Sequence, residues 1–229
     1  MLVEHRFVES NGIKIHIAEA GAGPLVLLCH GFPEFWYSWR HQIKALSEAG
    51  YHVIAPDMRG YGQTDRPNAI DQYSLFHLVG DMVGLVEAIG DGPAVVIGHD
   101  WGAPVAWHCA LFRPDRFHAV AGLSVPFRPR GTAAPTSVMA QTETEMFYQL
   151  YFQAEGVAER EFEQNVRRTV RLVLLDLPIK IPLPLGQWSP GREAGLVRGL
   201  RRHLSQIGFQ RKTLTITLVS LSELASAAA

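Results

Sequence analysis

The sequence predicts an α/β fold, a mostly parallel sheet flanked by helices and followed by a partial helical lid. Three observations predict it. Leu25 to Cys29, Tyr51 to Ala55, Ala94 to Ile97 and Ala119 to Leu123 are short, nearly continuous apolar runs, the pattern of parallel strands covered on both faces. Stretches of helical length and spacing separate them, which gives a βαβ alternation. Beyond Pro126 the alternation stops.

In chain order, residues 6 to 19 read as a β-hairpin. Ile13, Ile15 and Ile17 alternate with polar or small residues, and Asn11-Gly12 supplies the turn. Trp39 to Ala49, Ser74 to Ile89 and Trp101 to Phe112 are the helices between the parallel strands. Residues 1–125 therefore form the α/β core. Pro126, Pro129, Gly131 and Pro135 mark a linker that opens a segment at 126–175. An amphipathic helix is expected there, with Phe162, Val166, Val170 and Val173 on one side. The tail, 176–229, carries Pro178, Pro182, Pro184 and Pro190 too closely spaced for regular structure.

A chain of 229 residues, 47% hydrophobic and 19% charged, can bury one substantial core. A formal charge of -1 gives no electrostatic reason to expect nucleic acid or an anionic membrane as partner, and a small neutral ligand fits better. Arg192, Arg198, Arg201 and Arg202 read as a solvated surface. Cys29 and Cys109 lie far apart in apolar segments and are expected to be buried free thiols. Met-Leu-Val-Glu-His-Arg has charges where a signal peptide needs an apolar run, and no segment is long and uncharged enough to span a bilayer, so a cytoplasmic protein is expected. No metal or organic cofactor is expected. Composition leaves the oligomeric state open.

The strongest chemical signal is Gly98-His99-Asp100-Trp101-Gly102-Ala103, where an apolar strand ends and a helix begins. A nucleophile on such a turn sits in a strained backbone conformation, and small residues two positions to either side let strand and helix approach. Here the G-x-S-x-G pattern has aspartate in place of serine, which turns acyl transfer into alkylation of a carboxylate. Asp100 could instead merely cap the helix, since aspartate is a favoured N-cap and Pro104 lies in the first turn. A second segment decides for the nucleophile. His30-Gly31-Phe32-Pro33 follows the first parallel strand, where a backbone N–H can be offered to an oxyanion. The N–H groups of Phe32 and Trp101 would converge on the carboxylate oxygen. His30 itself is read as holding the loop by hydrogen bonds.

On these residues the chain resembles the epoxide hydrolase branch of the α/β-hydrolases, from about Phe7 to about Leu175. His-Gly-Phe-Pro-Glu-x-Trp-Tyr-Ser-Trp-Arg matches at 30 to 40, and Asp57-Met58-Arg59-Gly60-Tyr61-Gly62 resembles a further family loop, to which no chemistry is assigned. Phe147-Tyr148-Gln149-Leu150-Tyr151-Phe152 is similar to the start of the family's lid, where a tyrosine protonates the epoxide oxygen. The resemblance gives that role to Tyr148, with Tyr151 as runner-up, although both rings could simply pack the lid. It also implies a small apolar epoxide as substrate and a pocket that includes His30, Pro33, Trp36, His99 and Tyr151.

The chain departs from the family late in the sequence. The family pattern places an acid and then a histidine after the nucleophile, whereas after His118 the only histidine is His203, in Arg-Arg-His-Leu-Ser. After Asp115 the only aspartate is Asp176, Glu193 and Glu223 are no better placed, and no tyrosine follows Tyr151. One cause would explain these losses together: near residue 176 the reading leaves the family, by truncation, altered splicing or a frame error, the alternative being a genuine variant with a new C-terminal design. Although Leu214 to Leu221 reads as strand-like, the tail offers no obvious sheet to complete the core, so an open apolar edge is expected. Two rival functions stand beside an epoxide hydrolase. One is a haloalkane dehalogenase, against which Phe32 and the Tyr148 motif argue; the other is a non-catalytic fragment. An arginine after the nucleophile would suggest a fluoroacetate-type dehalogenase, but Trp101 stands there.

Overall fold

The computed structural model describes residues 2–90, 92–142, 145–175, 180–182 and 216–219. Asp176, Pro178, Pro184, Pro190, the tail arginines, Glu193, His203 and Glu223 lie outside these residues. The chain divides into two compact units, Met1–Pro129 with Leu214–Ala229, and Arg130–Thr213.

The first unit opens with β1 (Glu4–Ser10) and β2 (Ile13–Ala20), an antiparallel hairpin. Asn11 and Gly12 both have positive φ, 50° and 76°, as the tightest hairpin turns require. There follow β3 (Leu25–Cys29), α1 (Arg40–Glu48), β4 (His52–Pro56), α2 (Leu75–Ile89), β5 (Ala94–His99), α3 (Gly102–Phe112) and β6 (Phe117–Leu123). A short 3-10 turn, Trp36–Trp39, leads into α1. The Ser74 hydroxyl accepts from the His77 N–H to cap α2, and Gly90, at φ 79°, ends it in the left-handed conformation.

Among the described residues one sheet runs β1-β2-β4-β3-β5-β6-β9, in which β3, β4, β5 and β6 are parallel. The alternation of β3 shows why its sequence is apolar throughout. Leu25, Leu27 and Cys29 join a core with Ile15, Ile17, Met82, Leu85, Val105 and Trp107 from β2, α2 and α3. Val26 and Leu28 join a second core with Ala18, Val53, Ala55, Trp39 and Ile43. A strand buried on both faces has no polar side, so period-two alternation disappears. Cys29 and Cys109 are buried free thiols, and desolvation pushes Cys29 up to about 12.

The expected open edge beside β6 is corrected. β9 (Ile216–Val219), inside the strand-like run of the tail, pairs antiparallel with β6, from Val120 opposite Val219 to Leu123 opposite Ile216. It lends its backbone hydrogen bonds to the edge that the first 125 residues leave bare.

The second unit contains α4 (Pro135–Val138), β7 (Glu145–Phe147), α5 (Tyr148–Tyr151), α6 (Val157–Phe162), α7 (Val166–Leu175) and β8 (Lys180–Pro182). Two expectations fail here. The single amphipathic helix is interrupted at Glu163–Asn165, and Val166 and Val170 are exposed while Val173 is buried. The Asn165 side chain accepts from the Arg168 N–H, so asparagine caps a new helix instead of continuing the old one. The proline-rich stretch does hold regular structure, since Lys180–Pro182 pairs antiparallel with β7. Proline is tolerated at such a strand end.

Candidate active site

Asp100 sits between β5 and α3 with φ 50°, in the left-handed region that non-glycine residues seldom enter. Its N–H donates to the Leu123 carbonyl at 3.3 Å, which ties the turn to the neighbouring strand. The turn is possible only because three glycines surround it. A Cβ on Gly98 would lie 2.1 Å from the Gly102 carbonyl oxygen, one on Gly102 would lie 2.2 Å from that of Cys29, and one on Gly31 would lie 2.4 Å from the Asp100 Cβ. The part that Gly31 plays in the turn is not legible in the sequence, because its close contact is with a residue far away along the chain.

The capping alternative for Asp100 does not hold. Trp101 is the N-cap of α3, and the Asp100 carboxylate turns to the loop after β3, where its Oδ1 accepts from the Phe32 N–H at 3.0 Å. Trp101 follows directly and is 44% exposed. Phe32 and Asp100 are thus brought together, with Trp101 beside them at the positive end of a helix.

The loop that carries Phe32 is fixed at several points. His30 is buried, its Nδ1–H donates to the Gly31 carbonyl at 2.8 Å, and its Nε2 accepts from the Met58 N–H at 2.9 Å. Both nitrogens are committed to loops, and desolvation lowers its pKa, so it is held neutral. Pro33 follows, half-buried, after a cis peptide bond. Glu34 Oε2 accepts from the His99 Nδ1–H at 3.0 Å and from the Gly31 N–H at 3.3 Å. The hydrogen bond to Glu34 outweighs burial and raises the His99 pKa. Burial pushes Glu34 up, but the bond from His99 and its charge bring it below the usual carboxylate range. Trp36 is half-buried, and its N–H donates to Asp57 Oδ1 at 3.0 Å.

The two tyrosines belong to the second unit. Tyr148 opens α5, and its hydroxyl accepts from Gln149 Nε2 at 3.2 Å. Tyr151 is buried against Phe152, and its hydroxyl donates to Glu161 Oε2 at 2.5 Å. Burial first, and then Glu161, raise its pKa far above that of an ordinary phenol.

The 57–62 loop, read from sequence as turns alone, carries buried ionic groups. Asp57 and Arg59 are each 1% exposed, and Arg59 forms a two-pronged pair with Asp81 of α2 at 2.6 and 2.8 Å. The signal in the sequence is Asp81 itself, a carboxylate flanked by apolar residues in the middle of a largely apolar helix. A buried charge in such a place needs a partner.

A family model described as the alpha/beta hydrolase fold matches residues 24–178. Epoxide hydrolase 3 of Siraitia grosvenorii is 51% identical over 161 residues, 70% of this chain and 51% of that protein. Epoxide hydrolase A of Mycobacterium tuberculosis is 49% identical over 172 residues, 74% of this chain and 53% of that protein. The chain thus spans about half the length of these relatives. Among solved structures, an epoxide hydrolase from Vigna radiata is similar at a TM-score of 0.75 and 43% identity, covering 84% of this chain and 63% of that one. Epoxide Hydrolase A from Mycobacterium thermoresistibile is similar at 0.76 and 38%, covering 99% of this chain and 74% of that one. The parallel sheet, the aspartate turn between β5 and α3, and these matches lead to one assignment: the chain belongs to the α/β-hydrolase fold family.

Proposed function

We propose that this chain carries the alkylating chemistry of an epoxide hydrolase. The Asp100 carboxylate attacks an epoxide carbon, the C–O bond breaks, and the released oxygen takes a proton from the Tyr148 hydroxyl, leaving a β-hydroxyalkyl ester on Asp100. Water then attacks the ester carbonyl to give the diol and the Asp100 carboxylate, and the proton released returns to the Tyr148 phenolate. The observation that carries this reading is the contact between Asp100 Oδ1 and the Phe32 N–H at 3.0 Å, on a turn strained to φ 50°. A donor so placed meets the negative charge that develops on the carbonyl oxygen during ester hydrolysis, and such donors are worth about 10² to 10³ in rate.

Between the two tyrosines, the second unit favours Tyr148 as acid. The Tyr151 hydroxyl is already engaged as a donor to Glu161, which argues against Tyr151 as the acid. The relatives named epoxide hydrolases support an epoxide as substrate. Free thiols at Cys29 and Cys109 fit a reducing compartment, and we assign the protein to the cytoplasm.

Incubation of the purified chain with styrene oxide, followed by mass spectrometry of the peptide that contains Asp100, tests the reading. An added mass of one substrate on Asp100 is expected, and it should be absent in Asp100→Asn. A folded wild-type chain that gains no mass would refute the proposal.

A further inference from the structure

Beside β1 and β2 lies a group of titratable residues that the chemistry above does not use. Asp57, buried at the end of β4, accepts three hydrogen bonds: from His16 Nδ1–H at 2.8 Å and the Gln63 N–H at 3.0 Å on Oδ2, and from the Trp36 N–H at 3.0 Å on Oδ1. His16 is itself buried on β2, and its Nε2 lies 3.1 Å from Nδ1 of His5, an exposed residue of β1. The two rings are 5° from parallel with centroids 5.2 Å apart, close to the largest separation that a 3.1 Å contact between ring nitrogens permits. They therefore lie nearly in one plane with their nitrogens aimed at each other. This is the geometry of a straight N–H···N hydrogen bond.

We infer that His5, His16 and Asp57 form a proton relay that sets how firmly the Phe32 loop is held, with exposed His5 as the point where solvent protons enter. His16 and Asp57 are positioning residues in this scheme. Only its last link, the effect on alkylation, rests on the reading of Asp100 as nucleophile.

The protons can be followed one by one. An ionised Asp57 only accepts, so His16 keeps the proton on Nδ1, and the neutral His16 ring accepts at Nε2 from His5 Nδ1–H. When a solvent proton binds His5 Nε2, the proton on His5 Nδ1 passes to His16 Nε2. His5 is then neutral again, and the positive charge rests on His16 beside Asp57. The side-chain amide of Gln63, whose Nε2 is 3.3 Å from His16 Nε2, turns to present its oxygen.

The charge on His16 draws the negative charge of Asp57 toward Oδ2 and weakens the bond from Oδ1 to Trp36. Trp36 closes the segment that begins with Phe32, and its ring meets His5 edge-on at 4.7 Å. Acid therefore loosens the loop. The other charged groups around the relay act in the same framework. Lys14 of β2 lies over the Phe7 ring, which packs on His16, and opposes a positive charge there. Asp65 holds the Lys14 N–H, and His30, at the end of β3, feels the charge of Asp57.

The test compares the whole chain with His5→Phe, which keeps a ring against Trp36, and with His5→Gln, which keeps a hydrogen-bond donor but cannot pass a proton. Protection of the Trp36 and Phe32 amides against hydrogen exchange is measured across pH together with the ring-nitrogen shifts of His16. In wild type, protection is expected to fall with acid in step with the His16 shifts. In both variants the profile should be displaced from that of wild type. Superimposable profiles in the three proteins, or a wild-type profile in His5→Gln, would overturn the relay. Alkylation by styrene oxide is followed in parallel. A displaced exchange profile with no adduct at any pH sustains the relay and sinks the nucleophile reading, whereas adducts with unchanged profiles sink the relay alone.

Discussion

The Phe32 amide and the Asp100 carboxylate, 68 positions apart in sequence, meet at 3.0 Å because Gly31 has no Cβ to hold them apart. The pair joins the loop after β3 to the turn after β5, two parallel strands that are neighbours in the sheet. The position of the Asp100 carboxylate is therefore inseparable from the backbone of the loop that faces it.

Asp100→Asn should separate chemistry from folding. Asparagine tolerates the left-handed conformation that Asp100 occupies, so stability should change by about 0.5 kcal/mol or less, while the epoxide adduct disappears. Thermal unfolding and mass spectrometry of the same samples check both halves. A large loss of stability would mean that the carboxylate holds the turn together.

Ester hydrolysis should lag far behind alkylation. After His118 the sequence offers only His203, in a context unlike that of a general base, and loss of a positioned base costs on the order of 10² to 10⁴ in rate. Styrene oxide should load Asp100 with little release of diol. Sustained diol production by the wild-type chain would contradict this and point to His203 as base.

Gly102→Ala and Gly98→Ala should each be severely destabilising. The new methyl would meet backbone oxygen at 2.2 Å or 2.1 Å, which no rotamer change relieves. Overpacking of this kind costs about 1–3 kcal/mol and more where backbone must move. Denaturant titration reads the loss, and a variant within about 0.5 kcal/mol of wild type would show that the strand and helix can separate there.

Asp81→Leu should cost about 3–5 kcal/mol, because it strands the Arg59 guanidinium in the core without its partner. The double variant Arg59→Met, Asp81→Leu should recover much of that loss. A four-way stability cycle decides, and additive losses would deny the coupling.

The His99–Glu34 pair gives a pH signature. His99 has a raised pKa, so its contribution is fully present below its ordinary 6.5 and fades as pH rises through the folded value. Glu34 has a lowered pKa, so its contribution is present above its ordinary 4.5 and fades as pH falls through the folded value. The stability difference between wild type and Glu34→Gln should therefore peak between about pH 4.5 and 6.5. A difference that stays flat from pH 4 to 8 would show that the pair is not ionised as a unit.

Much of this molecule could be read before it was seen, for reasons that particular residues make plain. The apolar runs of β3 and β5 mark buried parallel strands because both of their faces are covered. Asn11-Gly12 marks the hairpin because its turn needs two positive φ values. Gly98 and Gly102 mark the tight strand-to-helix turn at Asp100 because their separation is local. What stayed hidden depends on distant partners. Asp57 looks like a turn residue until His16 and Trp36 reach it from other elements, and β9 looks like an isolated strand until β6 offers its edge. The helix break at Asn165 is local, yet the apolar spacing from Phe162 to Val173 masks it.

The antiparallel seam between β6 and β9 has a consequence for the order in which the protein is made. Leu123 leaves the ribosome long before Ile216, its partner in the sheet. Through that interval the growing chain holds the β6 edge without this partner, and the long closure that adds it comes late and slowly. The nascent chain needs shelter along the β6 edge until Ile216–Val219 arrives.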